Sequence, residues 1–327
     1  MNRFTGLSAT EGRREHFRLL REEAKALHER SRTEPIFEEV NCPLGCLEQA
    51  EPLLVKDGSS FVRCPGCGLI YVNPQLTESA LAEHFASSPA WEVWARSVLP
   101  SPEQQAFDIE KYRSAIEIMK ELYPDSQSLL DIGANSGFFL SLAREAGFKV
   151  SGIEPSEAAC KVAKELFGLA LFNGQLADYP IEENSFDIIT FWASLEYHKY
   201  PKVAISKAVE LLRPEGLLLI FISGNAHSLV MRMLREKCVG FLFNRLWYFS
   251  LESLDRLVSQ VNPALSLAER YSVIPSLDVI AHYLSYEDPY SESPQQLFSE
   301  DELDLLQNII EKKNMGYKFL SIYRRQS

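Results

Sequence analysis

The chain has 327 residues, 46% of them apolar, with six cysteines and a net charge of −12. That length and apolar content support one large core with a smaller satellite, and the acidic balance opposes binding to a phosphate backbone, so nucleic acid is not an expected partner. The first residues hold no apolar leader and the longest apolar run, Gly216 to Ile222, is too short to cross a bilayer, so a cytoplasmic globular protein with reduced thiols and no membrane span is expected.

Residues 1–35 mix charges of both signs, and Phe17, Leu20, Ala24 and Leu27 recur at helical spacing, which predicts a helical arm. Residues 36–75 change character: two cysteine pairs, several glycines and short β-type runs at Phe61-Val62 and Leu69 to Val72 predict a small ribbon. Its pairs, Cys42/Cys46 and Cys64/Cys67, have the spacings CxxxC and CxxC with 17 residues between them. Two such knuckles can bring four thiolates tetrahedrally onto Zn²⁺, with no position left open for catalysis, so a structural metal is expected; the plainer alternative is four reduced core thiols. Cys160 and Cys238 stand apart and read as buried structural thiols.

Residues 76–125 predict a helical linker or cap. One helix covers about 78–85, and a second opens at Ser101-Pro102-Glu103-Gln104 with an N-cap Ser, Pro at the first turn and Gln at the third position. From residue 126 onward, apolar strands alternate with helix-length segments: Ser128 to Gly133, Lys149 to Glu154, Ala170 to Gly174, Phe186 to Trp192 and Leu217 to Ser223. Strands near Leu265 to Ser272 and Lys318 to Arg324, with a helix at Leu251 to Val261, complete an α/β, doubly wound, mostly parallel seven-stranded sheet. Residues 273–316 read as an insertion in this domain of 126–327, with a helix announced by Ser299-Glu300-Asp301-Glu302, and serve as a lid or a homodimer contact.

Within Leu129-Leu130-Asp131-Ile132-Gly133-Ala134-Asn135-Ser136-Gly137-Phe138, an apolar strand runs into a small-residue loop and a helix, a turn whose N–H groups can approach a ligand. A dinucleotide fingerprint starting at Gly133 needs glycines where Asn135 and Phe138 stand, so that reading fails. An acid instead precedes the first glycine by two residues, placed to meet an ammonium, and a second acid, Glu154, ends the next strand where ribose hydroxyls are its expected partners.

The stretch DIGANSGFFLSLAREAGFKVSGIEPS resembles the first two motifs of the class I S-adenosylmethionine-dependent methyltransferases. The resemblance continues through Phe172 to Leu176, Ser185-Phe186-Asp187 and Leu211 to Gly216. It implies a Rossmann-like fold and an S-adenosylmethionine site in which Asp131, Gly133 and Gly137 line the methionine end and Glu154 the ribose. Ala134, Asn135, Phe138, Pro155 and Trp192 complete the implied surround, with Gln175 and Leu176 near the adenine. The second cysteine pair and Leu69 to Pro74 resemble the zinc ribbon that precedes the catalytic domain in some bacterial methyltransferases of sugar, glycan or secondary-metabolite pathways.

Methyl transfer from a sulfonium is an in-line displacement with an activated leaving group, so alignment and electrostatics matter most. A hydroxyl or carbon acceptor must still lose a proton. Related enzymes often read Leu-Glu-His after the fourth strand; here Leu195-Glu196-Tyr197-His198 shifts the imidazole by one, and His198 or Tyr197 is the expected base with Glu196 orienting it, unless all three only cap the loop. His227 is a further candidate beside the acceptor. The expectation is methylation of O or C, or else N, of a small molecule or sugar-linked intermediate. A non-catalytic zinc-ribbon adaptor with a vestigial cofactor site and an RNA methyltransferase are the alternatives.

Overall fold

The computed structural model describes residues 11–180, 182–273 and 299–326. Helix α1, Glu11–Arg30, buries Leu20 and Ala24, with Phe17 and Leu27 partly buried beside them, the stripe that helical spacing requires. Arg13 and His16 are buried on it as well, which hydropathy does not announce.

Strands β1 (Phe37–Glu38), β2 (Glu51–Lys56), β3 (Ser59–Arg63), β4 (Ile70–Val72) and β5 (Gln75–Leu76) follow. Asp57 and Gly58, at φ 49° and 83°, form the two-residue reversal between β2 and β3, a conformation that Asp-Gly tolerates well. β2, β3 and β4 are antiparallel neighbours, and β1 pairs with β5.

Helix α2 (Glu78–Ser87) is capped by Thr77, α3 (Pro89–Val93) by Ser88, and α4 (Pro102–Leu122) by Ser101, whose hydroxyl accepts from the Gln104 N–H at 3.3 Å. The main domain then runs β6 (Ser128–Ile132), α5 (Phe138–Glu145), β7 (Lys149–Glu154), α6 (Glu157–Phe167), β8 (Phe172–Asn173), β9 (Phe186–Trp192), α7 (Pro201–Leu211), β10 (Leu212–Ile222) and α8 (Leu229–Leu234). It closes with β11 (Trp247–Tyr248), α9 (Leu251–Val261), β12 (Leu265–Val273), α10 (Glu300–Lys312) and β13 (Lys318–Arg325).

Seven strands form one sheet in the order β12-β13-β10-β9-β6-β7-β8, with β13 antiparallel to both neighbours and the other described pairings parallel. Strand side chains divide by parity. Leu130, Ile189, Leu218 and Ile220 pack under α7 and α9, while Leu129, Ile188, Leu217 and Leu219 pack under α4 and α5. Both faces are thus covered, and the strand order reverses beside β6, which opens a crevice at the carboxyl ends of β6, β7 and β9.

Three features depart from the expected organisation. The ribbon is not confined to 36–75, because β11 adds to β4 as its fourth strand, with Trp247 opposite Tyr71 and Tyr248 opposite Ile70. The fifth strand of the main domain begins at Leu212 rather than Leu217, across a shift in register. Of the expected insertion, 274–298 lie outside the described residues; the described part is α10, held at its start by the reciprocal Ser299 and Glu302 capping bonds.

Candidate active site and cysteine cluster

The loop after β6 turns on Gly133, at φ 81°, whose N–H and that of Ala134 both donate to the Ile153 carbonyl, at 2.9 and 3.0 Å. A Cβ at Gly133 would stand 2.5 Å from Ser194 Cβ, so only glycine allows the β6 and β9 loops to meet. Gly137 plays a different part from the one expected. It caps α5 at φ 74°, where a Cβ would meet Leu169 and Ala163, and it does not line the cavity; its small size serves the packing of α5 on α6.

A cavity of about 600 Å³ opens at the carboxyl ends of the strands. Asp131, Gly133, Ala134, Asn135 and Phe138 line it from the loop, and Glu154, Pro155, Gln175, Leu176 and Trp192 line it from the adjoining strand ends. Register explains the convergence: Asp131 lies opposite Gly152 of β7 and Thr190 of β9, and the Thr190 hydroxyl donates to Asp131 Oδ1 at 2.7 Å. Glu154 accepts from the N–H groups of Asn135 and Ser156, both at 2.8 Å.

Neither carboxylate has an ion-pair partner among the described residues. Burial pushes Asp131 up to about 7, with Thr190 opposing and Glu154 adding to the rise, and pushes Glu154 up to about 7 against its two N–H bonds. Asn135 Oδ1 and Trp192 Nε1 are buried without a hydrogen-bond partner. Two costly acids, an open acceptor and an open donor around one cavity suit a ligand bearing an ammonium and hydroxyls.

The segment after β9 is less uniform than expected. Glu196 is fully buried and outside the cavity, and its Oε1 accepts from the Ser223 N–H and hydroxyl at 2.7 and 2.8 Å. It therefore ties the β9 loop to the end of β10 and makes no described hydrogen bond to the Tyr197 or His198 side chain. Tyr197 does line the cavity, accepts from Arg245 Nη2 at 3.2 Å, and meets Phe85 and Trp91 edge to face. Burial raises its phenol, which stays protonated near neutral pH. His198 also lines the cavity, but burial pushes its imidazole down to about 4, which makes it a weak proton acceptor near neutral pH. His227 is half-exposed, 3.6 Å from Glu252 and close to Gly68 of the ribbon, and does not line the cavity.

Several lining residues carry no local sequence signal. Arg13 of α1 donates to Gln104, which donates to Asp108 at 2.6 Å; Lys111, one helical turn on, donates to the other Asp108 oxygen at 2.5 Å. Arg245 enters from the segment before β11, and Lys318 from the start of β13. Helical spacing on α4 marks Asp108 and Lys111 as neighbours, but nothing local places Arg13, Arg245 or Lys318 beside them.

In the ribbon, Cys42, Cys46, Cys64 and Cys67 place their sulfurs all within 4.8 Å of one another. Gly45 and Gly68, at φ 72° and 73°, let each knuckle fold back, with the Gly45 N–H on the Cys42 carbonyl and the Gly68 N–H on the Cys64 carbonyl. Zinc–sulfur bonds of about 2.3 Å in a tetrahedron require sulfurs about 3.8 Å apart, and the Cys42 to Cys67 separation is 3.5 Å. The cluster fits a zinc ribbon. Cys238 is buried as expected, whereas Cys160 is only partly so.

A family model described as a methyltransferase domain matches residues 104–265. No curated protein matches the chain. Among solved structures, a methyltransferase from Haloferax volcanii in complex with a methyltransferase activator shares 14% identity, covering 72% of this chain and 98% of its own, with a TM-score of 0.49. The 1,6-didemethyltoxoflavin N1-methyltransferase of Burkholderia thailandensis, with S-adenosylhomocysteine bound, shares 13% over 85% of this chain and 100% of its own, at 0.48. An S-adenosylmethionine-dependent methyltransferase from Thermotoga maritima shares 19% over 72% and 100%, at 0.46. With the strand order, the acid-bearing glycine loop and the matching domain model in place, residues 104–265 form a methyltransferase domain, and a four-cysteine cluster stands ahead of it.

Proposed function

We propose that the cavity moves a methyl group from S-adenosylmethionine to O or C, or else N, of a small-molecule or sugar-linked acceptor. The observation that carries this reading is the pair of buried carboxylates, Asp131 and Glu154, at the ends of adjacent strands beside the Gly133 turn and without counter-ions. Their bonds to Thr190, Asn135 and Ser156 hold the loops but leave both charges without a counter-ion, a cost that a cationic, hydroxyl-bearing ligand offsets. The non-catalytic adaptor has no such offset.

When bound, the cofactor supplies an activated methyl group. Asp131 then holds the ammonium end, Glu154 the ribose hydroxyls, and the open Asn135 oxygen and Trp192 N–H lie within the same lining. Gln175 and Leu176 border the adenine. On the acceptor side, Tyr197 keeps its proton and positions the acceptor by donating it, because Arg245 already occupies the phenol as a donor. His198 forms the wall beside it. A cavity of about 600 Å³ shared by cofactor and acceptor leaves room for a small acceptor only.

The four cysteines hold one Zn²⁺ in a closed, structural site. Zinc analysis of protein expressed with the metal present should find about one ion per chain. Titration with S-adenosylhomocysteine tests the cofactor assignment: micromolar binding that Asp131→Asn and Glu154→Gln each weaken by about a hundredfold supports it, and no binding by the unaltered protein refutes it.

A further inference from the structure

Away from the glycine loop, four cations line the cavity of a protein whose net charge is −12. Arg13, Lys111, Arg245 and Lys318 all line it, and Asp108, bound directly to Lys111, is a carboxylate beside them. Tyr112, under the Lys111 ammonium at 4.2 Å and packed against Phe138 and Trp192, joins these cations to the glycine-loop side.

Arg245 is 7% exposed, yet its guanidinium meets only uncharged acceptors, the Gly240 carbonyl at 2.8 Å and the Tyr197 oxygen at 3.2 Å. Its Nε has no hydrogen-bond partner, and no carboxylate lies within ion-pair distance among the described residues. A buried guanidinium in that condition is costly unless an anion joins it. Lys318, partly buried at the start of β13, has no hydrogen bond or ion pair to its ammonium among the described residues, only the Tyr317 ring at 5.9 Å. Burial and the fields of Lys111 and Arg13 push it down to about 7. Around these cations the walls are aromatic, with Tyr197, Phe85 and Trp91 in edge-to-face contact.

We propose that the acceptor is a small organic anion, a carboxylate or phosphate monoester on an apolar body, with its oxyanion held by Arg245 and Lys318 and its body against the aromatic wall. This rests on the methyl-transfer reading of the cavity and names the class of acceptor. Arg245 presents a planar fork suited to a two-oxygen group, and an arriving anion favours the charged form of Lys318 that burial disfavours.

The test is calorimetric titration of the zinc-loaded protein, saturated with S-adenosylhomocysteine, using benzoate, phenyl phosphate and neutral benzamide. One of the two anions should bind at least about tenfold more tightly than benzamide, and which one does so separates a carboxylate from a phosphate acceptor. Lys318→Met and Arg245→Gln should each weaken that anion about tenfold while S-adenosylhomocysteine affinity stays within about twofold, and Lys318→Arg should retain the preference. Equal binding of benzamide and the anions, binding of none of them, or anion affinity unchanged in Lys318→Met overturns the proposal. Failure of S-adenosylhomocysteine to bind the unaltered protein is a separate result that removes the methyl-transfer reading itself. Should Arg245→Gln lose cofactor binding through misfolding, the Lys318 pair of variants decides.

Discussion

The glycine-loop end of the cavity draws Asp131, Gly133 and Glu154 from two adjacent parallel strands and the turn between them, whereas the opposite end draws Arg13, Lys111, Arg245 and Lys318 from four elements. The first end is fixed as soon as β6 and β7 pair. The second exists only when α1, α4, the segment before β11 and β13 have all docked. Their charges differ as well: uncompensated carboxylates at one end and a surplus of cations at the other, each strained by burial in its own direction. The ribbon belongs to the second end. β11 is one of its strands, the Leu246 carbonyl accepts from the Val72 N–H at 3.1 Å, and Arg245 directly precedes that bond.

The largest expected effect is at the glycine-loop end. Asp131→Asn should weaken S-adenosylhomocysteine by about a hundredfold, the scale of hydrogen bonds to a charged group, and should at the same time stabilise the free protein. The sign follows from the raised acid: folded Asp131 binds its proton up to about 7 while the unfolded side chain releases it near 3.8, so the unaltered protein loses stability as pH rises between those values. The difference in melting temperature between variant and parent should therefore be absent below about pH 4 and level off above about pH 7. A difference that is flat with pH would deny that burial strains this carboxylate.

Next in size is metal removal. Chelation, or Cys64→Ser, should cost benzoate or phenyl phosphate about tenfold in affinity and S-adenosylhomocysteine less than about threefold, because the ribbon braces β11 and not β6. Equal losses at both ends would erase the distinction between them.

Smaller effects refine each side. Tyr197→Phe should reduce turnover by about tenfold with cofactor affinity intact, while His198→Ala, at a ring already too weak a base, should reduce it by about threefold or less. A larger loss for His198→Ala, measured with labelled S-adenosylmethionine, would return the base role to the imidazole. Gly137→Ala should lower the melting temperature by a few degrees, as about 1 kcal/mol of backbone strain implies, yet leave S-adenosylhomocysteine affinity per folded molecule unchanged, since the residue lies outside the cavity.

Much of the architecture was legible because it rests on short-range rules. Ser101 caps α4 as its hydroxyl and the Pro at the first turn dictate, and the bounds of β9 and α9 follow runs of apolar residues that have nowhere to go but the core. The cysteine pairs met because each knuckle closes on its own glycine. Asp131 and Glu154 were legible for a similar reason: each ends its own strand, and parallel pairing brings neighbouring strand ends together.

Where contacts span the whole chain, spacing was silent or misled. Gly137 looked like part of a ligand loop, but whether a small residue faces a ligand or a helix depends on what packs behind it, here Ala163 and Leu169. Glu196 read as a partner of the base, and its backbone turn instead aims it at Ser223. The sequence by itself determined the sheet, the two acids at neighbouring strand ends and the cysteine cluster, all products of local periodicity and of pairing between neighbours. Tertiary structure alone decided that Arg13, Lys111, Arg245 and Lys318 share one cavity, because a charge signals its role only through the groups that burial places around it.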